Sequence, residues 1–425
     1  MSEIRFIKQF DNNIIITNDS NNDILDIKHL RLTEKNLISI NLSNSQLITN
    51  LNVEYLNGMK NTHFIFIDGS TPLTLDWEIS DNNDDIRITN VQDATNDGDA
   101  VNKRKFLKIY NLIGDDIGLI FGGAYNTSFQ LTSSIEYIVI DNNSNGEYYA
   151  DLMYILYGLT STSNGINNKA ITIGGCDSLS TSINTIQVLN ISDGKNTQYF
   201  GDLNDKKSFM NACSDGSNSI GIIFAGKRRN DNTIFNDIQT VNINTNQNST
   251  YFGNILYSAH SHAATSNGKN ERGVSLGGCN SSNTRLNTVE YITINNSGNA
   301  NLLCNLLDHT DLLTATSNDT NNTAIVGGGN NSSTQLNVIQ YFSITSTNNA
   351  NDFGDLSHEK RELSSISNGI KDKAIFIGGG YYISGTYTPI NVMEYVIIST
   401  PSDAINFGEM TMDRDYQSST SNSAE

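Results

Sequence analysis

The sequence predicts an all-β protein in which six repeats form a closed ring of four-stranded sheets, preceded by a smaller β module. Three observations support this prediction. Three motifs recur with a common period of about fifty residues along the C-terminal three quarters of the chain. Each repeat contains four short runs of strand-forming residues bounded by Asn, Gly and Ser. No helical periodicity lies between those runs.

The three motifs keep one period. A Gly pair ends a short apolar run, because a residue without Cβ lets the chain leave a strand in a tight bend. Its copies begin 50 to 52 residues apart, at Gly122, Gly174, Ala225, Gly277, Gly327 and Gly378. The second motif centres on Glu136, Gln187, Gln239, Glu290, Gln340 and Glu394. The third motif begins with Phe-Gly, at Phe200, Phe252, Phe353 and Phe407. Such agreement does not arise from composition alone.

The repeat unit is clearest over residues 263–306, where the predicted strands are 263–266, 273–276, 289–294 and 301–306. A period near fifty with a Gly pair after the second strand resembles the kelch β-propeller repeat. The Trp expected in the fourth kelch strand is replaced by Phe or Leu. The resemblance therefore covers the architecture rather than membership of the cellular kelch family, and it implies a six-bladed propeller over residues 113–425.

The two ends of the array are offset. A Ser-Asn-Gly turn joins the first and second strands of a repeat, yet the first Gly pair has no such turn before it. The last turn, at Ser421 and Asn422, has no Gly pair after it. We therefore expect residues 413–421 to supply the innermost strand of the first blade, whose other strands come from 117–152. This pairing closes the ring and removes its open sheet edges.

Charge and cysteine content exclude several classes of protein. The chain carries 26 Lys and Arg against 45 Asp and Glu, a net charge of −19, so we expect no binding to nucleic acid through its phosphates. The cysteines Cys176, Cys213, Cys279 and Cys304 form no CxxC pair and are predicted to be free thiols in a reducing cytoplasm. The first residues do not resemble a signal peptide, and no apolar run approaches the length of a membrane span, so no membrane partner is expected.

Residues 1–85 lie outside the repeat. They contain alternating apolar runs, including 4–10 and 13–17, and predict a β-sandwich-like attachment module. Trp77, the only tryptophan, is expected to pack in the core of that module.

Residues 86–112 form a junction with a distinct pattern. It contains Ile88, Asn90, Val91, Asp93, Thr95 and the run Asp99-Ala100-Val101-Asn102-Lys103-Arg104. This pattern resembles a segment common in tailed-phage fibre proteins, where it lies at subunit contacts of a homotrimeric stalk. Ala94 stands where the family form usually has Pro. Asp97 or Asp99 is placed to cap a short junction helix that runs to about Tyr110.

The repeats also resemble the propellers in virion proteins of large tailed phages. Together the two resemblances imply a structural protein of a bacteriophage virion, a head or tail fibre made in the host cytoplasm. They imply a homotrimer whose N-terminal module docks on other virion proteins of the capsid or tail. The propeller would then attach the particle to a host-surface glycan or protein.

The sequence gives little support to catalytic chemistry. It contains no Walker loop or His-Glu-x-x-His motif. One Gly-x-Ser-x-Gly string occurs, at Gly273 to Gly277, but it lies in a predicted strand rather than at the strand-to-helix turn of a nucleophile elbow. His260 and His262 are the nearest approach to a metal-binding pair, and no further His or Cys stands at ligand spacing. The second motif has Glu in three repeats and Gln in three. Gln cannot act as a general acid, so this position favours a hydrogen bond to a neighbouring blade's backbone over acid catalysis. We expect a non-enzyme with no catalytic residues, metal or cofactor.

The loops between the second and third strands differ most among the repeats, and on a propeller they share a face with the connections between blades. Aromatic and basic side chains there could stack on sugars or hold acidic glycans. The candidate binding residues are Tyr125, Phe129, Arg228, Arg229, Tyr381, Tyr382 and Tyr387. Two other interpretations remain open. One is a propeller depolymerase of capsular polysaccharide, marked by paired carboxylates that converge on the axis, and the other is a cellular kelch-type interaction scaffold.

Overall fold

The computed structural model describes residues 116–423 and four short strands nearer the N-terminus. Phe6–Phe10 pairs antiparallel with Asn13–Thr17, in agreement with two of the predicted alternating runs. Tyr55–Leu56 pairs with Met59–Lys60. The predicted β-sandwich-like arrangement of residues 1–85, the junction helix of 86–112 and the packing of Trp77 lie outside the described residues.

Six antiparallel sheets follow one another along residues 117–421, and we number these blades 1 to 6, with strands given from the axis outward. Blade 1 contains Ser418–Ser421, Ile117–Phe121, Ser134–Val139 and Glu147–Asp151; blade 2 contains Thr160–Ser163, Lys169–Ile173, Thr185–Asn190 and Gln198–Asp202; blade 3 contains Asn211–Ser214, Ile220–Phe224, Asp237–Asn242 and Thr250–Asn254. Blade 4 contains Ala263–Ser266, Arg272–Leu276, Thr288–Thr293 and Asn301–Asn305; blade 5 contains Thr314–Ser317, Thr323–Gly327, Val338–Ser343 and Asn351–Asp355; blade 6 contains Ser364–Ser367, Lys373–Ile377, Thr386–Ile397 and Ile405–Arg414.

Shorter elements complete the ring. Gly380–Ile383 pairs with the long third strand of blade 6, Ala124–Tyr125 pairs with Gln130–Leu131, and Lys227–Arg228 pairs with Thr233–Ile234. The turns between first and second strands are 3-10 helices at Gly165–Asn167, Gly216–Asn218, Gly268–Asn270, Asp319–Asn321 and Gly369–Lys371. The all-β prediction and the six-bladed propeller-like arrangement are therefore confirmed over the repeat region.

The predicted closure of the ring is confirmed. Ser418–Ser421 pairs antiparallel with Ile117–Phe121, so the last strand that the structure describes is the inner strand of blade 1. The backbone N–H of Ile117 also donates to Asn422 Oδ1 at 2.7 Å. Just before this strand, Arg414 Nη2 lies 2.5 Å from Glu136 Oε1, and both side chains are buried. The two ends of the array are thus joined by a sheet and by a buried ion pair.

The hydrophobic core lies between blades rather than in one centre. Each of the six apolar clusters contains residues from two adjacent blades. Ile117 and Leu119 of blade 1 pack with Leu189 and Ile191 of blade 2, for example. The cluster that contains Ile138 and Ile375 joins blade 1 to blade 6. Because every blade contributes to two clusters, the apolar burial that stabilises one blade depends on its neighbours.

The Gly pair of a blade packs closely against the backbone of the connection that leads to the next blade. In blade 2, Gly174 has φ +54°, and a Cβ there would lie 2.5 Å from the carbonyl oxygen of Lys207. The N–H of Gly175 donates to that same oxygen at 2.9 Å. A side chain at Gly174 would therefore separate the two backbones. In blade 5 the pair in this conformation is Gly328 and Gly329, so the predicted anchor Gly327 is one residue too early; it belongs to the preceding strand.

The Glu or Gln of the second motif has the predicted structural role. Each side chain accepts a hydrogen bond from a backbone N–H of the preceding blade's outer strand or of the connection that follows it, at 2.7 to 3.1 Å. Each also lies at an irregularity in the pairing of the third and outer strands. An amide oxygen and a carboxylate oxygen accept this bond equally well, which explains why both residue types occur.

Candidate binding site at the channel mouth

The inner strands surround a narrow axial channel. Its cavity has a volume of about 160 Å³ and is lined mainly by Ser, Thr and Ala of the six inner strands. Pairs such as Ser161 with Ser418, and Thr314 with Ser365, join hydroxyl groups of adjacent blades at 2.6 and 2.8 Å. A lining of this kind favours water or small polar groups over apolar ligands.

A ring of hydroxyl groups lies where the inner strands end. Each strand ends in a Ser whose Oγ donates to the carbonyl oxygen of the equivalent Ser in the preceding blade, at 2.5 to 2.8 Å. The members are Ser163, Ser214, Ser266, Ser317, Ser367 and Ser421. All six bonds run in the same sense around the axis, so the ring is complete.

A second ring, made by the backbone, lies where the inner strands begin. At one equivalent position in each blade, the N–H donates to the carbonyl oxygen of its counterpart in the preceding blade, at 2.7 to 3.0 Å. All six residues are left-handed, with φ between 51° and 61°. They are Gly158, Phe209, Ser261, Leu312, Glu362 and Tyr416. We call this end of the channel the mouth; the ring fixes the backbone from which its side chains project.

Four aromatic rings cluster over the mouth. Phe129 contacts Tyr157 and Tyr416 with centroid distances of 5.0 and 5.9 Å. Phe209 contacts Tyr157 and Tyr416 at 6.0 and 5.7 Å. All are edge-to-face contacts, which aromatic rings prefer. A Cβ at Gly158 would lie 2.8 Å from the ring of Phe209, so this glycine makes room for the cluster.

Blades 5 and 6 contribute a buried polar group. The phenol of Tyr387 donates to Glu362 Oε2 at 2.6 Å, and Arg361 Nε lies 3.1 Å from Glu362 Oε1. Burial raises the pKa of Glu362, although Arg361 and the tyrosine hydroxyls oppose the change. Burial, reinforced by the charge of Glu362, raises the pKa of Asp415 to about 8. Burial likewise raises the pKa of Tyr387 and Tyr416, so both stay neutral phenols.

The predicted loops and the blade connections do share one face. Residues that follow each Gly pair form β-bridges with the connection that enters an inner strand, such as Tyr157 with Cys176 and Arg361 with Gly380. Three predicted residues reach the mouth. Phe129 belongs to the aromatic cluster, Tyr387 binds Glu362, and the guanidinium of Arg229 lies 5.7 Å from the ring centroid of Phe209.

The other predicted residues lie farther from the mouth or are otherwise engaged. Tyr382 contacts Tyr387 edge-on at 5.6 Å and is 55% exposed. Tyr381 stacks on His358 at 4.8 Å. Arg228 is ion-paired with Asp205 at 3.1 Å and with Asp231 at 2.9 Å. Tyr125 pairs with Gln130 in a short hairpin.

Several residues of the mouth were missed by sequence reasoning. Tyr157, Phe209, Glu362, Asp415 and Tyr416 all lie in the connections between blades, which the sequence treats as linkers. The sequence did contain a signal for these residues. When the connections between blades are aligned by the repeat, one position is occupied by Gly, Phe, Ser, Leu, Glu and Tyr in the six connections. Because the ring of hydrogen bonds at this position is made by backbone groups, it does not restrict which side chain stands there, and the side chain can vary.

The histidine pair is not poised for metal. His262 is 2% exposed, and burial lowers its pKa to about 3. Burial and the charges of Lys227 and Arg229 lower the pKa of His260 to about 4. Among the residues that the structure describes, no group of three or more His, Cys, Asp or Glu side chains could hold a metal ion. All four cysteines are free and buried.

Sequence comparison with family models and curated proteins identifies no relative. A scan against protein-family models finds no match to this chain, and no curated protein matches it significantly in sequence. Within the described part of the chain, no helix is long and apolar enough to cross a lipid bilayer.

Proposed function

We propose that this chain is a structural fibre or decoration protein of a tailed-phage virion, and that its propeller binds a host-surface glycan or protein without cleaving it. The observation that carries the binding function is the aromatic cluster at the mouth. Phe129 is 45% exposed there, on the face where the loops differ most among blades. Exposed aromatic rings on a rigid scaffold suit the apolar faces of sugars.

The mouth is also preorganised. Phe209, Glu362 and Tyr416 project from a closed ring of six backbone hydrogen bonds, and the hydroxyl of Tyr387 donates to Glu362. A ligand would therefore meet side chains that are already ordered, which reduces the entropy lost on binding.

The virion assignment rests on the sequence. The pattern between Ile88 and Arg104 resembles the trimeric stalk contacts of phage fibres, and a propeller follows it directly. In this proposal the N-terminal module docks on the capsid or tail, the junction makes a homotrimer, and the acidic propeller points outward.

Light scattering tests the fibre part of the proposal. The full chain should have the mass of a trimer, and a chain that starts near Asp115 should be a folded monomer. A full chain that is monomeric would overturn the fibre assignment, while leaving a free-standing binding propeller.

A glycan array tests the binding part. Labelled full-length protein should bind a subset of bacterial surface glycans, and Phe129→Ala should lower that signal at least severalfold. The control is Leu179→Ala, because Leu179 is 83% exposed on a loop of the same face but outside the aromatic cluster. Equal loss in both variants would contradict a site at the mouth.

One observation favours the depolymerase alternative. Glu362 and Asp415 lie close enough for the charge of Glu362 to raise the pKa of Asp415, and a pair of carboxylates is what a glycosidase uses. However, they are only 5% and 1% exposed, and Tyr387 and Tyr416 engage Glu362. We therefore infer a structural pair. Release of reducing sugar from a capsular polysaccharide, abolished by Glu362→Gln, would establish the enzyme instead.

A further inference from the structure

We propose that the mouth selects an acidic sugar, with Arg229 as the residue that binds its anionic group and Phe129 and Phe209 as the surface that receives its ring. This inference depends on the proposed glycan-binding function and specifies its ligand class. The anionic group is a carboxylate, as in uronic acids, or a phosphate, as in polyol phosphate polymers.

The arginines on this face differ in whether they already have an anionic partner. Arg228 is paired with Asp205 and Asp231, Arg285 Nε lies 2.9 Å from Asp311 Oδ1, and Arg361 is paired with Glu362. Arg229 has no carboxylate partner among the residues that the structure describes. Its guanidinium instead lies over Phe209. A guanidinium held on an aromatic face keeps its donors available for a bidentate contact with an anion.

Arg229 joins the aromatic cluster to a local excess of positive charge. Lys227 precedes it by two positions and also lacks a carboxylate partner in the described part of the chain. The field of both cations reaches His260 and helps to lower its pKa. The chain as a whole has a net charge of −19, so Lys227 and Arg229 form a positive patch on an acidic protein. Local charge next to a low-dielectric surface attracts ligands of opposite sign.

The geometry matches the two parts of an acidic sugar. The exposed ring of Phe129 and the half-buried ring of Phe209 lie on either side of the buried Tyr157, with centroid distances to it of 5.0 and 6.0 Å, and Arg229 lies at Phe209. A pyranose can pack against the accessible rings of Phe129 and Phe209 while its carboxylate or phosphate meets the guanidinium of Arg229. Charge-assisted, bidentate bonds of that kind are stronger than those between neutral groups.

Titration calorimetry on the full chain tests this inference with three probes of similar length: an oligogalacturonate, a ribitol phosphate oligomer and a neutral galactose oligomer. At least one acidic probe should bind at least tenfold more tightly than the neutral probe, and its affinity should fall as salt is added. The acidic probe that binds more tightly identifies the source of the anionic group.

Variants separate the site from general charge. Arg229→Gln should lower the affinity for the preferred acidic probe at least tenfold and leave the neutral probe unchanged, whereas Arg229→Lys should retain part of it. Arg285→Gln removes one positive charge from the same face but should change the affinity less than twofold, since Arg285 is already neutralised by Asp311.

Three results would overturn the inference. They are equal affinity for acidic and neutral probes, equal effects of Arg229→Gln and Arg285→Gln, and no binding of either acidic probe. If only the neutral probe binds and Phe129→Ala abolishes that binding, the inference fails while the proposed adhesion stands. If the glycan array is also negative, the proposed adhesion fails with it.

Discussion

Asp215 stands where the turns of the other blades have Asn. Its Oδ1 accepts the N–H of Ile220 at 2.7 Å, as the equivalent Asn oxygens do in their blades. In blade 4, the amide of Asn267 also donates to Asn322 of the next blade at 2.7 Å. Asp215 Oδ2 cannot donate when ionised; it is buried without a hydrogen-bond partner in the described structure. Burial, with the charge of Glu271 added, raises the pKa of Asp215 to about 6.

Asp215→Asn should therefore stabilise the protein near neutral pH. The folded-state pKa lies above the ordinary value of 3.8, so the native form loses stability as pH rises from about 4 to about 6. The variant should melt higher than the parent above about pH 7 and similarly near pH 4. Asn267→Asp is the matched control and should do the reverse. A pH-independent difference in melting temperature would contradict this account.

Glu290 and Glu394 occupy one repeat position but should respond oppositely to the same substitution. Burial raises the pKa of Glu290 to about 7. Burial also acts to raise the pKa of Glu394, but the buried Nζ of Lys360 lies 2.5 Å away. The charge of Lys360, together with hydrogen bonds from Lys360 and Ser357, outweighs burial and lowers the pKa of Glu394.

Glu290→Gln should thus remove the loss of stability that occurs as pH rises from about 4.5 to about 7, a gain of order 1 to 3 kcal/mol above that range. Glu394→Gln should cost about 3 to 5 kcal/mol at neutral pH, because it leaves the ammonium of Lys360 buried without a counter-charge. Denaturant unfolding as a function of pH measures both. If both substitutions changed the free energy of unfolding in the same direction, the ion pair with Lys360 would not explain the difference between Glu290 and Glu394.

At the scale of the strand, the closure of blade 1 makes the sharpest prediction. Deleting residues 413–425 removes the inner strand Ser418–Ser421 and also Arg414, which leaves Glu136 buried without its partner. The loss of that ion pair alone should cost about 3 to 5 kcal/mol, so the melting temperature should fall markedly. A synthetic peptide of residues 413–425 should restore part of it. An unchanged melting temperature would mean that the strand does not hold the ring closed.

The strands and the closure could be predicted because each has a periodic signal. In blade 4 the predicted strand 273–276 differs from the observed Arg272–Leu276 by one residue. The Gly327 anchor was wrong because three consecutive glycines follow Val326, and sequence does not show which two take left-handed φ. The mouth could not be predicted in full. Phe209 and Tyr416 come from distant connections that meet only because six blades place them on one axis.

At the scale of the molecule, shared cores between blades predict that the propeller opens cooperatively. The thiols of Cys176, Cys213, Cys279 and Cys304 report on this, since all are buried in blades 2, 3 and 4. Burial raises the pKa of Cys304 to about 11, which disfavours the reactive thiolate. A thiol reagent should label none of the four in the native state, and all four at one common rate as denaturant is added. Stepwise labelling would indicate that blades open separately.

Because the inner strand of blade 1 is translated after every other strand of the propeller, the ring stays open until Ser418–Ser421 has been made. Roughly 300 residues separate Ile117 from Ser418, which takes on the order of 15 to 60 s at common elongation rates. During that time the second strand of blade 1 presents an unpaired edge. A chain that terminates before Ser418 keeps this edge exposed, so completion of the ring distinguishes molecules that contain the closing strand from shorter ones.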